Sequence, residues 1–137
     1  MTEAIFSPAE LEYLRSQRLG RIATQQPNGT LQVSPVGFQV DSATGAIDIH
    51  GFRMAASRKF RNIAANDKVA FVVDDLPSVD PWRVRCIEVR GTAEAIADDD
   101  FAGGGLIRIH PRRVLSFGID DDRPPHELKP SRRDVGA

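Results

Sequence analysis

Along most of the chain, apolar and polar residues follow the short-period patterns of strands, and a helical spacing shows in two places. The first is residues 7–17. Ser7 suits an N-cap, Pro8 the first helical position, and Glu10 completes a capping-box spacing with Ser7. Leu11 and Leu14 give this helix a modest apolar face with which to lid a core. Strands follow. Leu19–Gln25 runs into Pro27-Asn28-Gly29, whose Asn-Gly pair signals a hairpin. Leu31–Asp41 is a second strand, interrupted by Pro35 and Gly37. Because proline removes a ladder bond, this strand belongs at an edge, at a bulge or against a ligand. Beyond the turn Ser42–Gly45, Ala46–His50 is the third.

The second helical stretch opens at Ser57, another N-cap residue type, with Phe60, Ile63 and Ala64 at the spacing of an apolar helix face. Val69–Val73 (VAFVV) is apolar on both faces, which predicts a fully buried strand. Leu76–Trp82, with Pro77 and Pro81, reads as a loop. In Val84–Ile96, Ile87, Val89, Ala93 and Ala95 alternate with Glu88, Arg90, Thr92 and Glu94, as in a long half-buried strand. Asp98-Asp99-Asp100 and Gly103-Gly104-Gly105 predict a flexible connection. Leu106–Ile109 and Val114–Ile119 are then two strand segments separated by His110-Pro111. Residues 1–120 are expected to form one domain, and 121–137, charged and holding Pro124, Pro125 and Pro130, a mobile tail. Hairpin-punctuated strands with two short helices predict a mainly β fold, a small antiparallel barrel, and not βαβ layers.

Composition narrows the partners. A formal net charge of −1 over 137 residues gives no global attraction for nucleic acid or an anionic membrane. One Trp and one Tyr are too few for an aromatic platform for single strands. Locally the balance changes: between Arg53 and Lys68 five cations (Arg53, Arg58, Lys59, Arg61, Lys68) face one acid, Asp67. Such a patch on a near-neutral chain suits a small anionic ligand. Cys86 stands alone, so no internal disulfide is expected and a reducing cytosol fits. With no secretory signal pattern and no apolar run near the roughly 20 residues that span a bilayer, a cytoplasmic protein is expected.

Within the patch, Arg58 and Lys59 fall in a first helical turn, the positive end of the helix dipole, where acids are expected and cations cost tenths of a kcal/mol. Cations, unpaired amides and a hydroxyl together make an anion site of the phosphate-binding kind; the alternative is a solvated basic face. His50 can be read as a strand histidine bonded to a carbonyl. The three histidines and Cys86 lack metal-ligand spacing, so no metal is expected. Cys86 has no adjacent histidine to make it a nucleophile. The three glycines lack the Lys-Ser/Thr of a phosphate loop.

Five segments, SPVGF (Ser34–Phe38), IDIHG (Ile47–Gly51), SRKFRNIAANDKVAFVV (Ser57–Val73), IEVRGTAEAI (Ile87–Ile96) and IRIHPRRVLSFGID (Ile107–Asp120), carry a resemblance. In this order they resemble the flavin and deazaflavin oxidoreductases of the pyridoxamine-phosphate-oxidase-like superfamily, whose fold is the FMN-binding split β-barrel. The short chain and its closing segment are most similar to the actinobacterial branch that uses deazaflavin coenzyme F420, the dehydrotetracycline-reductase-like one included. The resemblance implies that Arg58 and Lys59, with Ser57 beside them, bind the cofactor phosphate. His50 and Gly51 would lie along the ring system and its linker, and Ser34, Pro35, Val36 and Gly37 would offer backbone to the ring edge. It further implies a homodimer with cofactors in grooves between subunits, completed by partner residues near Trp82–Arg85, and a small-molecule substrate. One departure matters. Flavin-using oxidases of the superfamily carry Arg and Lys on the second strand for the FMN phosphate, whereas QVSPVGFQV has no cation. This favours F420 over FMN and speaks against pyridoxamine phosphate oxidation. No catalytic acid is identified. An FMN enzyme and a non-catalytic cofactor carrier of the same fold are the alternatives.

Overall fold

A computed structural model describes residues 4–98 and 103–136. Helix α1 (Pro8–Ser16) leads into β1 (Leu19–Gln25), β2 (Leu31–Gly37), β3 (Gln39–Val40) and β4 (Ile47–His50). A 3-10 turn (Met54–Ala56) and α2 (Arg58–Ala65) separate these from β5 (Lys68–Val79), β6 (Trp82–Ala97), β7 (Gly105–Phe117) and β8 (Ser131–Asp134). All ladders are antiparallel, in the order β2-β1-β5-β6-β7-β4-β3, with β8 added to β7. The two end strands share no ladder, so the sheet is an open, split barrel, although β2 and β4 approach across the gap.

The core is built from the inward side of this alternation: Ile22, Ile47, Ile49, Phe71, Val73, Ile87, Val89, Ile107, Ile109 and Val114 are fully buried. Tyr13 and Leu14 of α1 close one end, with Leu11 only partly covered. Ile63 of α2 and Met54 of the 3-10 turn close another part of the same core.

Several expectations need correction. The second strand is divided: β2 pairs with β1, while Gln39 and Val40 turn to pair with β4. Pro35 is tolerated because β2 is an edge, facing only Arg21 of β1. VAFVV is not buried on both faces. Val69, Phe71 and Val73 point inward, and Ala70 and Val72 lie half-exposed on the outer face. The expected loop Leu76–Trp82 is strand on both sides of a tight turn at Asp80-Pro81, with a bulge between Asp75 and Ser78. Nor does His110-Pro111 break the last strand. Pro111 sits opposite Gly91 at a bulge, where a Cβ on Gly91 would stand 2.2 Å from the His110 carbonyl oxygen. Glycine permits that approach, so β7 runs on unbroken.

The tail is anchored as well. β8 pairs with Arg113–Ser116, and Arg133 reaches back across the molecule to Glu10 and the Ile5 carbonyl. As for the expected flexible connection, Asp99 and Asp100 lie outside the described residues, while Gly103–Gly105 are closely packed, as described next.

Candidate functional site

The site is assembled around the start of α2. Ser57 has an extended backbone and caps the helix: its Oγ accepts from the Phe60 amide (3.3 Å) and donates to the Met54 carbonyl (2.7 Å). The amides of Arg58 and Lys59 have no acceptor among the described residues, and the first turn holds no acid. Arg58 is exposed and Lys59 half-buried, and no described carboxylate pairs with either, or with Arg61. Positive charge is therefore concentrated here, with the dipole, and left without a counter-charge.

Two supports hold this turn in place. On the inner face, buried Asn62 donates through Nδ2 to Thr24 Oγ1 and Gln32 Oε1, both at 3.0 Å, tying α2 to β1 and β2. On the other side Gly103 lies so close that a Cβ would come within 1.9 Å of the Gly51 carbonyl oxygen, and its own carbonyl accepts from Ala55 N–H at 3.1 Å. A Cβ on Gly105 would press on the Phe60 ring at 3.0 Å. These glycines are a packing requirement, the opposite of a slack connection.

Between His50 and Met54 the chain is exposed. Arg53 adopts the left-handed conformation (φ 57°), and its guanidinium lies 5.7 Å from the ring centre of Phe52, itself 87% exposed. On the other side of Gly51 an open groove of about 350 Å³ is lined by Gln17, Arg18, Gly37, Phe38, Gln39, Asp48 and His50. Asp48 accepts from Nε and Nη2 of Arg108 (2.8 and 3.0 Å), so its charge is paired. Beneath Gln17, Tyr13 donates to Asp75 (3.0 Å), and Arg85 binds both oxygens of Asp75. Burial, then the bond to Asp75, raises the Tyr13 hydroxyl above its ordinary range. The Arg85 hydrogen bonds hold Asp75 low.

The sequence-chosen residues thus divide. Gly37 and His50 share the groove; Ser57, Arg58 and Lys59 form the helix start; Gly51 joins the two. Pro35 is exposed on the edge strand. Val36 points into the core, and Ser34 Oγ is buried without a partner among the described residues. Along Ser34–Gly37, then, only the backbone edge, Pro35 and Gly37 are presented. Of the stretch Trp82–Arg85, Trp82 projects while Arg85 is tied within its own chain. Gln17, Arg18, Phe38 and Gln39 escape sequence reading, since nothing in their spacing shows that the end of α1 meets the β2–β3 junction.

A family model described as pyridoxamine 5'-phosphate oxidase matches residues 6–118. The chain belongs to that family. It is similar to a 5a,11a-dehydrotetracycline/5a,11a-dehydrooxytetracycline reductase of Streptomyces rimosus, with 45% identity over 122 residues, 85% of this chain and 86% of the relative. Among solved structures, a conserved hypothetical protein of Mycobacterium tuberculosis shares the fold at TM-score 0.68 and 21% identity, covering 88% of this chain and 89% of the other. A protein described as an F420 reductase aligns at TM-score 0.59 and 26% identity over 77% of this chain and 95% of its own. Family and relatives together make this chain an oxidoreductase of the split-barrel fold.

Proposed function

We propose that the protein transfers hydride between reduced F420 and an unsaturated small organic substrate, working in the cytoplasm as a homodimer with its cofactors in grooves between subunits. The observation that carries this reading is the start of α2, where two cations and two amides without partners among the described residues stand on a serine-capped turn. That donor set fits a phosphate, and β2 adds no cation that a second, FMN-type grip would use. The bound deazaflavin would supply the hydride chemistry itself. The chain's own residues do the rest. Arg58 and Lys59 would hold the phosphate, Gly51 and His50 would flank the linker and ring, and the β2 edge from Ser34 to Gly37 would offer backbone groups to the ring rim. The reductase relative from Streptomyces rimosus and the F420 reductase structure support this choice of chemistry and cofactor. For the dimer, support comes from the outer face of the edge strand β2, where Leu31 and Val33 are 76% and 68% exposed and Pro35 follows on the same side.

Fluorescence titration with F420 and with FMN tests the reading. F420 is expected to bind, and Lys59→Ala to weaken it about tenfold or more, 1.4 kcal/mol, with the melting temperature nearly unchanged. An unchanged dissociation constant would remove the phosphate role. Preferential FMN binding would assign the chain to the flavin users, and cofactor binding without turnover of any enone to a carrier. In sedimentation the same preparation should run as a dimer; a monomer that binds cofactor normally would sink the shared groove.

A further inference from the structure

The groove shared by Gly37 and His50 has two features that phosphate anchorage at α2 leaves unused. One is Arg18, exposed on the groove wall, with no hydrogen bond or ion pair to any described residue. Arginines at comparable places are tied. In the cavity beneath the tail Arg123 is held by Asp121 and Arg133 by Glu10, and Arg108, outside this groove's lining, is held by the groove's Asp48. The other is Gly37. Its φ is not in the left-handed region, and a Cβ there would meet nothing nearer than the Arg18 carbonyl oxygen at 3.9 Å. Nothing in the fold requires glycine at this point, although glycine in a strand costs about 0.5–1 kcal/mol relative to alanine. A side chain would occupy only the space beside Arg18, so glycine keeps that space open.

We infer that this groove is the substrate side of the site, and that Arg18 holds an anionic oxygen of a conjugated substrate lying over Gly37 against Phe38. Calling the ligand a substrate rests on the reductase reading; the preference for an anion does not. Phe38 gives a flat wall held in place edge-on by Phe71, with ring centres 5.3 Å apart at 74°. Gln39 is exposed, and Gln17 keeps its carbonyl oxygen available after donating to Ser16 and Asp75. Asp48 does not repel an anion because Arg108 already engages both its oxygens. The ligand class is accordingly a carboxylate or an ionised enol joined to an unsaturated ring system.

The test uses the cofactor-free full chain, titrated with cinnamate and with its neutral isostere cinnamamide, followed by amide NMR shifts. Cinnamate should shift Gly37, Phe38 and Gln39, and bind about fivefold more tightly than cinnamamide, the upper range for an exposed charge pair. Arg18→Gln should abolish that preference while leaving F420 affinity unchanged. Gly37→Val should weaken both probes with no fall in melting temperature. Equal binding of the two probes, binding of neither, or a preference that survives Arg18→Gln would overturn the inference, as would loss of F420 affinity in that variant. Because the probes are read without cofactor, a failure of F420 to bind would remove the F420 reading alone.

Discussion

Both helices begin with a serine cap, and there the likeness ends. At α1, Ser7 Oγ accepts from the Glu10 amide (3.1 Å) and Glu10 accepts from the Ser7 amide (2.9 Å), a reciprocal capping box. Arg133 then binds both oxygens of Glu10, which is 4% exposed. Every strong charge at that helix start has a partner in the chain. At α2 the position of Glu10 is taken by Phe60, two cations occupy the first turn, and none has a partner among the described residues. One helix start is closed by the fold, and the other is left open by it. The contrast separates charge that is paired within the fold from charge that has no partner among the described residues.

The largest effect should come from removing the support of the open end. In Gly103→Val, the new Cβ would overlap the Gly51 carbonyl, a backbone atom that cannot swing aside. Overpacking of this kind costs about 1–3 kcal/mol, sometimes more. Thermal unfolding should show the loss, and F420 titration a parallel loss of affinity, because the 3-10 turn and α2 would shift together. Normal affinity in a destabilised variant would mean that the turn is not what positions the cations.

At the closed end Arg133→Ala should cost about 2–3 kcal/mol, somewhat below the range for breaking a buried pair, since the arginine is a third exposed. Cofactor affinity should not change. The pH dependence gives a further check. Burial alone would raise the Glu10 carboxyl, but bonds from Arg133 and the Ser7 amide outweigh it and hold the group below its ordinary value of 4.5. A carboxylate with a depressed folded pKa contributes stability above its unfolded value and loses it as pH falls. The gap in unfolding free energy between wild type and Arg133→Ala should therefore be full near neutrality and shrink as pH drops below about 4.5. A gap constant down to acid pH would show that the pair contributes through packing alone.

These two ends differ in how far the sequence reveals them. Ser7-Pro8 with Glu10, and Ser57 before Phe60, are local signals, and both helices lie where those signals put them. Period-two alternation likewise located the strands from Leu19 to Gln25 and from Val84 to Ile96. What stayed hidden is non-local. Arg133 meets Glu10 across 123 positions, Asn62 meets Thr24 across 38, and Gly91 rescues Pro111 from the neighbouring strand. The three glycines read as slack because composition carries no record of Gly51 approaching Gly103, or of Ile96 and Phe60 crowding Gly105. At the candidate site the cations stand out in the sequence through their misfit with the helix dipole, while Arg18 and Gln39 of the groove do not, since neither violates a local rule.

The finest probe makes the open end resemble the closed one. Ser57→Asp keeps a side-chain oxygen for the Phe60 amide and adds a negative charge to a first turn that has none. Two opposing changes in stability are expected. The bond from Ser57 Oγ to the Met54 carbonyl is lost, at about 0.5–1.5 kcal/mol. The dipole and the neighbouring cations return about 0.3–1 kcal/mol. Unfolding should consequently move between a loss of about 1.2 and a gain of about 0.5 kcal/mol. Affinity for F420 should nevertheless fall, because the carboxylate would occupy the donors that the phosphate needs, and the fall should be greatest at low ionic strength. Ser57→Ala provides the control: losing the cap costs about 1 kcal/mol of stability, yet it places no competing charge beside Arg58 and Lys59. If Ser57→Asp bound F420 at least as well as Ser57→Ala, the missing acid at this turn would have nothing to do with an anionic ligand.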